Sequence, residues 1–217
     1  MIDQEISRTT HLYLARHGET EHNRLGMVQG RGVNVSLNRE GRRQAEALAE
    51  RASGMQLHAV YSSTLLRAQE TAHIIAHRCG RLPIVYLSDL EEMSWGIYEG
   101  QYASPELKEA FAFMQTQWQS GNLEYAVERG ESVLDVQTRS MRAMRFMLEE
   151  HSGRNILVVT HGRFLKVLIA TLLEEYGPRR MEEIKHHNTG LNYLIYEDDT
   201  FVARYLNDTS HLQQVTV

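Results

Sequence analysis

Apolar residues recur along this chain with two periods, continuous short runs and stripes at helical spacing, and they alternate. Leu12-Tyr13-Leu14-Ala15 is an apolar run that stops at Arg16-His17-Gly18, the pattern of a buried strand leaving a sheet into a loop. Asn38 then offers an N-cap to a helix with Ala45, Leu48, Ala49 and Ala52 on one face, ended by Gly54. Ala59-Val60-Tyr61 is a second short strand, and Ser62 or Ser63 is placed to cap a helix carrying Ala68, Ala72, Ile75 and Ala76, stopped by Gly80. Pro83 to Leu87 reads as a third strand, and the acidic, glycine-punctuated stretch from Asp89 to Gly100, which has no clean period, as a functional loop.

Ser104-Pro105-Glu106 has the order of an N-cap, a first-turn proline and a first-turn acid, and Leu107, Phe111, Met114 and Trp118 continue that helix. Ser132 with Asp135 opens another helix, running to about Glu150 and closed by Gly153. Asn155 to Thr160 is almost wholly apolar, as expected of a central parallel strand covered on both faces. A helix from Gly162 to about Glu175 follows, then a break at Gly177-Pro178. Leu191 to Tyr196 and Phe201 to Leu206 form a hairpin around Glu197-Asp198-Asp199. The alternation predicts a three-layer α/β/α sandwich on a mainly parallel central sheet, closed by antiparallel strands near the end.

Composition narrows the class. At 217 residues the chain predicts a single domain, 1–217. With 23 basic and 28 acidic side chains the net charge is −5, which argues against nucleic acid or an anionic membrane as a partner, so an anionic ligand must be held by local charge. One cysteine, Cys79, excludes an intramolecular disulfide, and the first eight residues lack a signal-peptide core; both point to the cytoplasm. The most apolar run, Phe164 to Leu173, contains Lys166 and is far shorter than the roughly 20 residues of a membrane span.

Ligands of open α/β sheets bind beyond the carboxyl ends of the strands. Three such exits carry cationic or imidazole groups: Arg16-His17-Gly18, then Ser62-Ser63 with Arg67 one helical turn on, then Thr160-His161-Gly162. Two arginines and two histidines around one point describe an anion site, and the planar guanidinium fork suits phosphate oxygens. Glycine after each histidine permits close backbone approach, and the helix beginning at Gly162 can direct free N–H groups at negative charge. No metal is needed to bind an anion there. His22, His186 and His187 lack partners at metal-ligand spacing and read as structural.

With these residues in place, the chain resembles the histidine phosphatase superfamily, in its phosphoglycerate-mutase-like branch, from Leu12 to about Leu212. Leu14 to Thr20 with Asn23 resembles the signature, followed by Gln29-Gly30, Leu37, Gly41 and Gln44-Ala45 in the expected order. Tyr61-Ser62-Ser63 through Arg67-Ala68 and Thr71-Ala72 is similar to the second block, and Leu90-Glu91-Glu92-Met93 with Gly96 and Glu99-Gly100 to the third. Gly130-Glu131-Ser132, Val159 to Gly162 and the tail Leu206 to Leu212 complete the set.

The resemblance implies that His17 accepts a phosphoryl group and that Arg16, Arg67 and His161 stabilise it in transfer. It further implies that Asn23, Gln29, Gly30 and Gly162 bind substrate beside them, and that Glu92 protonates the leaving oxygen. It implies no cofactor, a small phosphorylated metabolite as partner, and a small helical insertion over the active site, residues 93–130; a homodimer is left open. Glu91 reads as a solvated loop acid and Arg163, where a small residue is usual, as a solvent-facing arginine. Gly32-Val33-Asn34-Val35-Ser36 replaces the usual acid and proline.

A mutase must hold its acid substrate until the phosphoryl group returns, which calls for extra cations. Residues 93–129 contain only Lys108 and Arg129 against Glu99, Glu106, Glu109, Glu124 and Glu128, and the Arg179-Arg180 pair lies elsewhere. Hydrolysis of phosphate monoesters is therefore expected, with mutase transfer as the alternative. A non-catalytic phosphate-binding protein is the second alternative, disfavoured by the intact set of His17, Arg16, Arg67, Glu92 and His161.

Overall fold

The computed structural model describes residues 9–215. Its centre is one six-stranded sheet in the order β3-β2-β4-β1-β5-β6. Strands β1 (Thr10–Arg16), β4 (Asn155–Thr160), β2 (Ala59–Ser62) and β3 (Ile84–Tyr86) run parallel, while β5 (Leu191–Glu197) and β6 (Thr200–Asp208) extend the β1 side antiparallel. The hairpin between the last two turns on Asp198 and Asp199, both at positive φ (48° and 59°), the conformation a two-residue turn demands.

Successive side chains of a strand face opposite layers, and β4 shows it: Ile156 and Val158 join the core under α5 (Val133–Glu150) and α6 (Gly162–Leu172). Leu157 and Val159 join the core under α2 (Arg39–Ala52) and α3 (Leu66–Arg78). This is the three-layer sandwich expected from the alternation. On α2, Ala45, Leu48, Ala49 and Ala52 are buried and Asn38 Oδ1 accepts from Gly41 N at 2.8 Å; on α5, Ser132 and Asp135 form the capping box. A short helix, α1 (Glu21–Arg24), capped by Thr20, was not foreseen, being too brief to show a period. α4 (Pro105–Gln119) begins at its predicted cap, Ser104, and buries Leu107, Met114 and Trp118.

Three local expectations need correction. Helix α3 is preceded by Leu65 with no side-chain cap: Ser62 Oγ donates to Ser63 O, and the Ser63 hydroxyl, which lies 2.7 Å from His161 Nε2, accepts from Leu65 N at 3.2 Å, two residues short of the N–H groups a cap would hold. The third strand covers only Ile84–Tyr86, and α6 ends at Leu172, short of Glu175. The Asp89–Gly100 loop contains two 3₁₀ turns, Ser88–Leu90 and Gly96–Tyr98. Among the described residues no helix is long and apolar enough to cross a membrane.

Candidate active site

Sheet register brings the three exits side by side. Arg16 pairs with Thr160 across β1 and β4, and Ser62 with Val159 across β2 and β4, so His17 and His161 leave adjacent strands level with each other and Ser63 leaves the next strand one residue earlier. The imidazole centroids of His17 and His161 lie 5.1 Å apart. His17 is buried, its Nδ1 bonded to its neighbour's carbonyl, Gly18 O, at 2.7 Å. That bond fixes the ring with Nδ1 as the donor and Nε2 carrying the lone pair. Burial, then Arg67 and Arg16, hold the His17 pKa well below 6.5, so the ring is neutral near pH 7.

His161 is also fully buried, and burial with Arg67 and His17 beside it lowers its pKa in the same way. Its Nε2 lies 2.7 Å from Ser63 Oγ, whereas Nδ1 has no hydrogen-bond partner in the protein. Two arginine nitrogens of the site share that condition, Arg16 Nε and Arg67 Nε. Arg16 Nη1 donates to His186 O at 3.0 Å. Arg67 donates from Nη1 to Val33 O (2.6 Å) and from Nη2 to Gly30 O (3.2 Å), so the loop of unusual sequence is the wall that steadies this arginine. Burial brings the Arg67 pKa down to about 10, which leaves it cationic at pH 7.

Glu92 sits opposite, 8% exposed. Its Oε1 accepts from Phe164 N and from Met93 N, both at 2.9 Å, and Oε2 from Arg163 N at 3.1 Å. The first turn of α6 thus holds a carboxylate of the protein itself, using the free N–H groups expected at a helix start. With Arg16 and Arg67 cationic, both imidazoles neutral and one carboxylate, the pocket carries a net positive charge matched to an oxyanion.

The remaining predicted residues lie around this core. Asn23 Oδ1 accepts from Thr20 N (3.1 Å) and Asn188 Nδ2 (3.3 Å), and Gln29 Oε1 accepts from Thr20 Oγ1 at 3.0 Å. A Cβ on Gly30 would lie 1.9 Å from Glu99 Oε1 and would displace that side chain; at Gly162 a Cβ would approach Arg16 Nε to 3.4 Å. Two readings are overturned. Glu91 is no solvated acid: it is 14% exposed and paired with Arg31 at 2.7 Å, since Arg31 reaches back over the loop. Arg163 does not face solvent: it is 12% exposed, paired with Glu182, and lies 5.5 and 5.3 Å from the ring centres of Trp95 and Trp118, where cation–π attraction offsets its burial.

Thr71, of the second block, and two residues outside every motif, Asn188 and Thr189, also contribute. Thr71 Oγ1 accepts from Gly18 N at 3.1 Å, Asn188 Nδ2 donates to His17 O at 3.0 Å, and Thr189, held at φ 55°, donates its N–H to Arg16 O at 3.1 Å. Both Asn188 and Thr189 precede a strand, not follow one, so inspection of strand exits passes over them. Of the histidines read as structural, His186 keeps both ring nitrogens buried without a partner, and burial brings its pKa down to about 3. No cluster of three or more His, Cys, Asp or Glu side chains suited to a metal occurs among the described residues.

Comparison with known proteins places this geometry. The histidine phosphatase superfamily, branch 1, matches residues 12–209. Phosphoglycerate mutase-like protein 4 of Arabidopsis thaliana is 35% identical, the match covering 98% of this chain and 91% of that protein. A metal-independent phosphoserine phosphatase of the same plant is 33% identical over 96% of this chain and 86% of its own length. The crystal structure of an Entamoeba histolytica phosphoserine phosphatase in complex with phosphoserine superposes with a TM-score of 0.81 at 27% identity, covering 94% of this chain and 99% of that one.

Proposed function

This chain belongs to the histidine phosphatase superfamily, and from that membership we propose that it is a metal-independent phosphomonoesterase acting through a phosphohistidine on His17. The observation that carries the reading is the convergence at His17. A neutral imidazole with Nδ1 tied to Gly18 O offers Nε2 as nucleophile, and the unpartnered Arg16 Nε, Arg67 Nε and His161 Nδ1 surround the same pocket.

His17 Nε2 attacks phosphorus in line, forming the N–P bond as the P–O bond to the leaving group breaks. In a loose transition state charge spreads over the equatorial oxygens, where the fixed donors of Arg16, Arg67 and His161 lower its energy. Glu92, its carboxylate having taken up the proton that a monoanionic phosphate ester brings as it binds, gives that proton to the departing oxygen, and as carboxylate again takes one from the water that attacks the phosphohistidine. Phosphate leaves and His17 is neutral again. Asn23, Gln29, Gly30 and Gly162 complete the walls.

The substrate is a small phosphorylated metabolite, and residues 93–130 form the substrate-facing insertion of a single domain. Hydrolysis is favoured over mutase transfer because the two cations of that segment are turned outward: Lys108 is exposed, and Arg129, 81% exposed, pairs with Glu128. Half-buried Cys79, the only cysteine, fits a cytoplasmic setting.

The test is hydrolysis of a chromogenic phosphomonoester in excess EDTA with vanadate as competitor. Full activity in EDTA and competitive inhibition are expected; activity restored only by a divalent cation overturns the metal-independent reading. Rapid denaturation during turnover of radiolabelled substrate should trap acid-labile, base-stable label on the protein. Persistence of that label in His17→Ala would remove His17 as nucleophile.

A further inference from the structure

We propose that Arg139 and Glu131, which touch neither His17 nor the pocket oxyanion donors, are the positioning residues for the proton donor Glu92. This rests on the reading of Glu92 just given. Arg139 lies on α5 and is 5% exposed, an expensive place for a charge unless every donor is used. Every donor is used. Nη1 donates to Asp89 O (2.9 Å) and Glu91 O (2.7 Å), Nη2 to Glu92 O (3.1 Å) and Glu131 Oε2 (3.0 Å), and Nε to Glu131 Oε1 (2.9 Å). One guanidinium therefore closes on three carbonyls of the stretch that ends at Glu92, with its remaining bonds directed at one carboxylate.

Glu131 completes the clamp from the other side. Its Oε2 also accepts from Ser94 N at 2.8 Å, so the backbone is held both before and after Glu92. The Arg139 guanidinium lies 5.3 Å from the ring centre of Phe164, whose N–H holds the Glu92 carboxylate. The clamp also reaches the opposite wall: Arg31 bonds Glu131 Oε1 at 3.2 Å and Glu91 Oε2 at 2.9 Å, and its loop supplies the Gly30 and Val33 carbonyls that steady Arg67. The two arginines and two glutamates balance in charge. Lysine, with three tetrahedral donors in place of a planar fork of five, cannot reproduce the set.

A misplaced acid harms esters whose leaving oxygen must be protonated and spares those that depart as anions. The experiment compares kcat/KM, which reports phosphoryl transfer to His17, for an alkyl phosphate and for p-nitrophenyl phosphate. Glu92→Gln should lose far more on the alkyl ester. Arg139→Lys and Glu131→Gln should show the same selectivity at smaller size, about 10–100-fold on the alkyl ester and within threefold on the aryl ester, as expected for displacement of a catalytic group by a fraction of an ångström to about 1 Å. Arg31→Ala, whose side chain is 35% exposed, serves as the variant that keeps the core intact; because its loop also steadies Arg67, it should lose a few-fold on the alkyl ester and measurably less on the aryl ester. Added guanidinium at sub-denaturing concentration should restore alkyl-ester activity to Arg139→Ala.

Equal losses on both esters in the Arg139 and Glu131 variants, or no loss on either, while Glu92→Gln keeps its selectivity, would overturn the positioning role alone. Equal losses in Glu92→Gln would overturn the proton-donor reading and this proposal with it.

Discussion

The contact between Gly18 and Gly41 couples the nucleophile loop to the start of α2, and Gly18→Ala tests it. Gly18 does not adopt positive φ, so the substitution probes space and not backbone conformation. A Cβ on Gly18 would lie 2.3 Å from Gly41 O and 2.9 Å from Gly41 C, both backbone atoms with no rotamer to yield. Regaining ordinary van der Waals separation requires the two backbones to part by about 1 Å. Overpacking of this kind costs about 1–3 kcal/mol. At roughly 3 °C per kcal/mol for a chain of this size, melting should fall by about 3–9 °C. The catalytic loss should be larger, because Gly18 O holds the His17 ring and Gly18 N is held by Thr71, so the shift passes directly to Nε2. A displacement near 1 Å costs about 100-fold in turnover. Gly54→Ala is the control: its Cβ would meet nothing closer than Arg51 O at 3.9 Å, and neither melting nor kcat should change. The assay is calorimetry with steady-state hydrolysis of a chromogenic ester. A Gly18→Ala protein that melts within about 1 °C of the parent and retains kcat within twofold would refute the coupling.

Three further outcomes follow from the same geometry. Ser63→Ala removes the hydroxyl that lies 2.7 Å from His161 Nε2 and accepts from Leu65 N at 3.2 Å, so it should lower kcat about tenfold and, by leaving buried groups unpaired at about 1–3 kcal/mol, the melting point by about 3–9 °C; unaltered kinetics would show that His161 needs no such support. Arg163→Ala should destabilise by about 1–3 kcal/mol in urea titration, since the tryptophan faces and one partner of Glu182 are lost while Lys166 still neutralises that acid; an unchanged midpoint would contradict the packing role. Burial lowers the pKa of His186 to about 3 and of His211 to about 4, so near pH 5 the unfolded chain binds protons that the folded chain refuses. Stability should therefore fall as pH drops from about 7 toward 4, by at most about 1.4 kcal/mol per unit for each such histidine and by less for His211, part of whose field is screened by solvent. Urea midpoints that rise on acidification below pH 6 would refute this sign.

Much of the frame was legible from local pattern. The apolar runs of β1, β2 and β4 and the stripes of α2 and α3 reflect burial on one face or both, and the caps at Asn38, Ser104 and Ser132 act within three residues of themselves. The candidate site was equally visible as residue types at strand exits, because parallel strands in register must deliver those exits to one edge of the sheet. Ser63 shows where such reading stops. Its position suggested a helix cap, and its hydroxyl does accept a local bond from Leu65 N at 3.2 Å, but it also meets a buried imidazole arriving from β4, which no local pattern announces.

Partners far apart along the chain were beyond any local signal. Glu92 is held by the N–H groups of residues 71 and 72 positions away, and Arg67 by carbonyls 34 and 37 positions away. Arg163 and Glu91 looked exposed because lone charges usually are, and became buried because Glu182, two tryptophans and Arg31 fold against them. The sequence by itself determined the principal strands and the long helices and which chemistry gathers at His17, since periodicity and capping are short-range effects. Only the tertiary structure decided which charges are buried and what holds them, since a charge leaves water only where distant segments supply its hydrogen bonds.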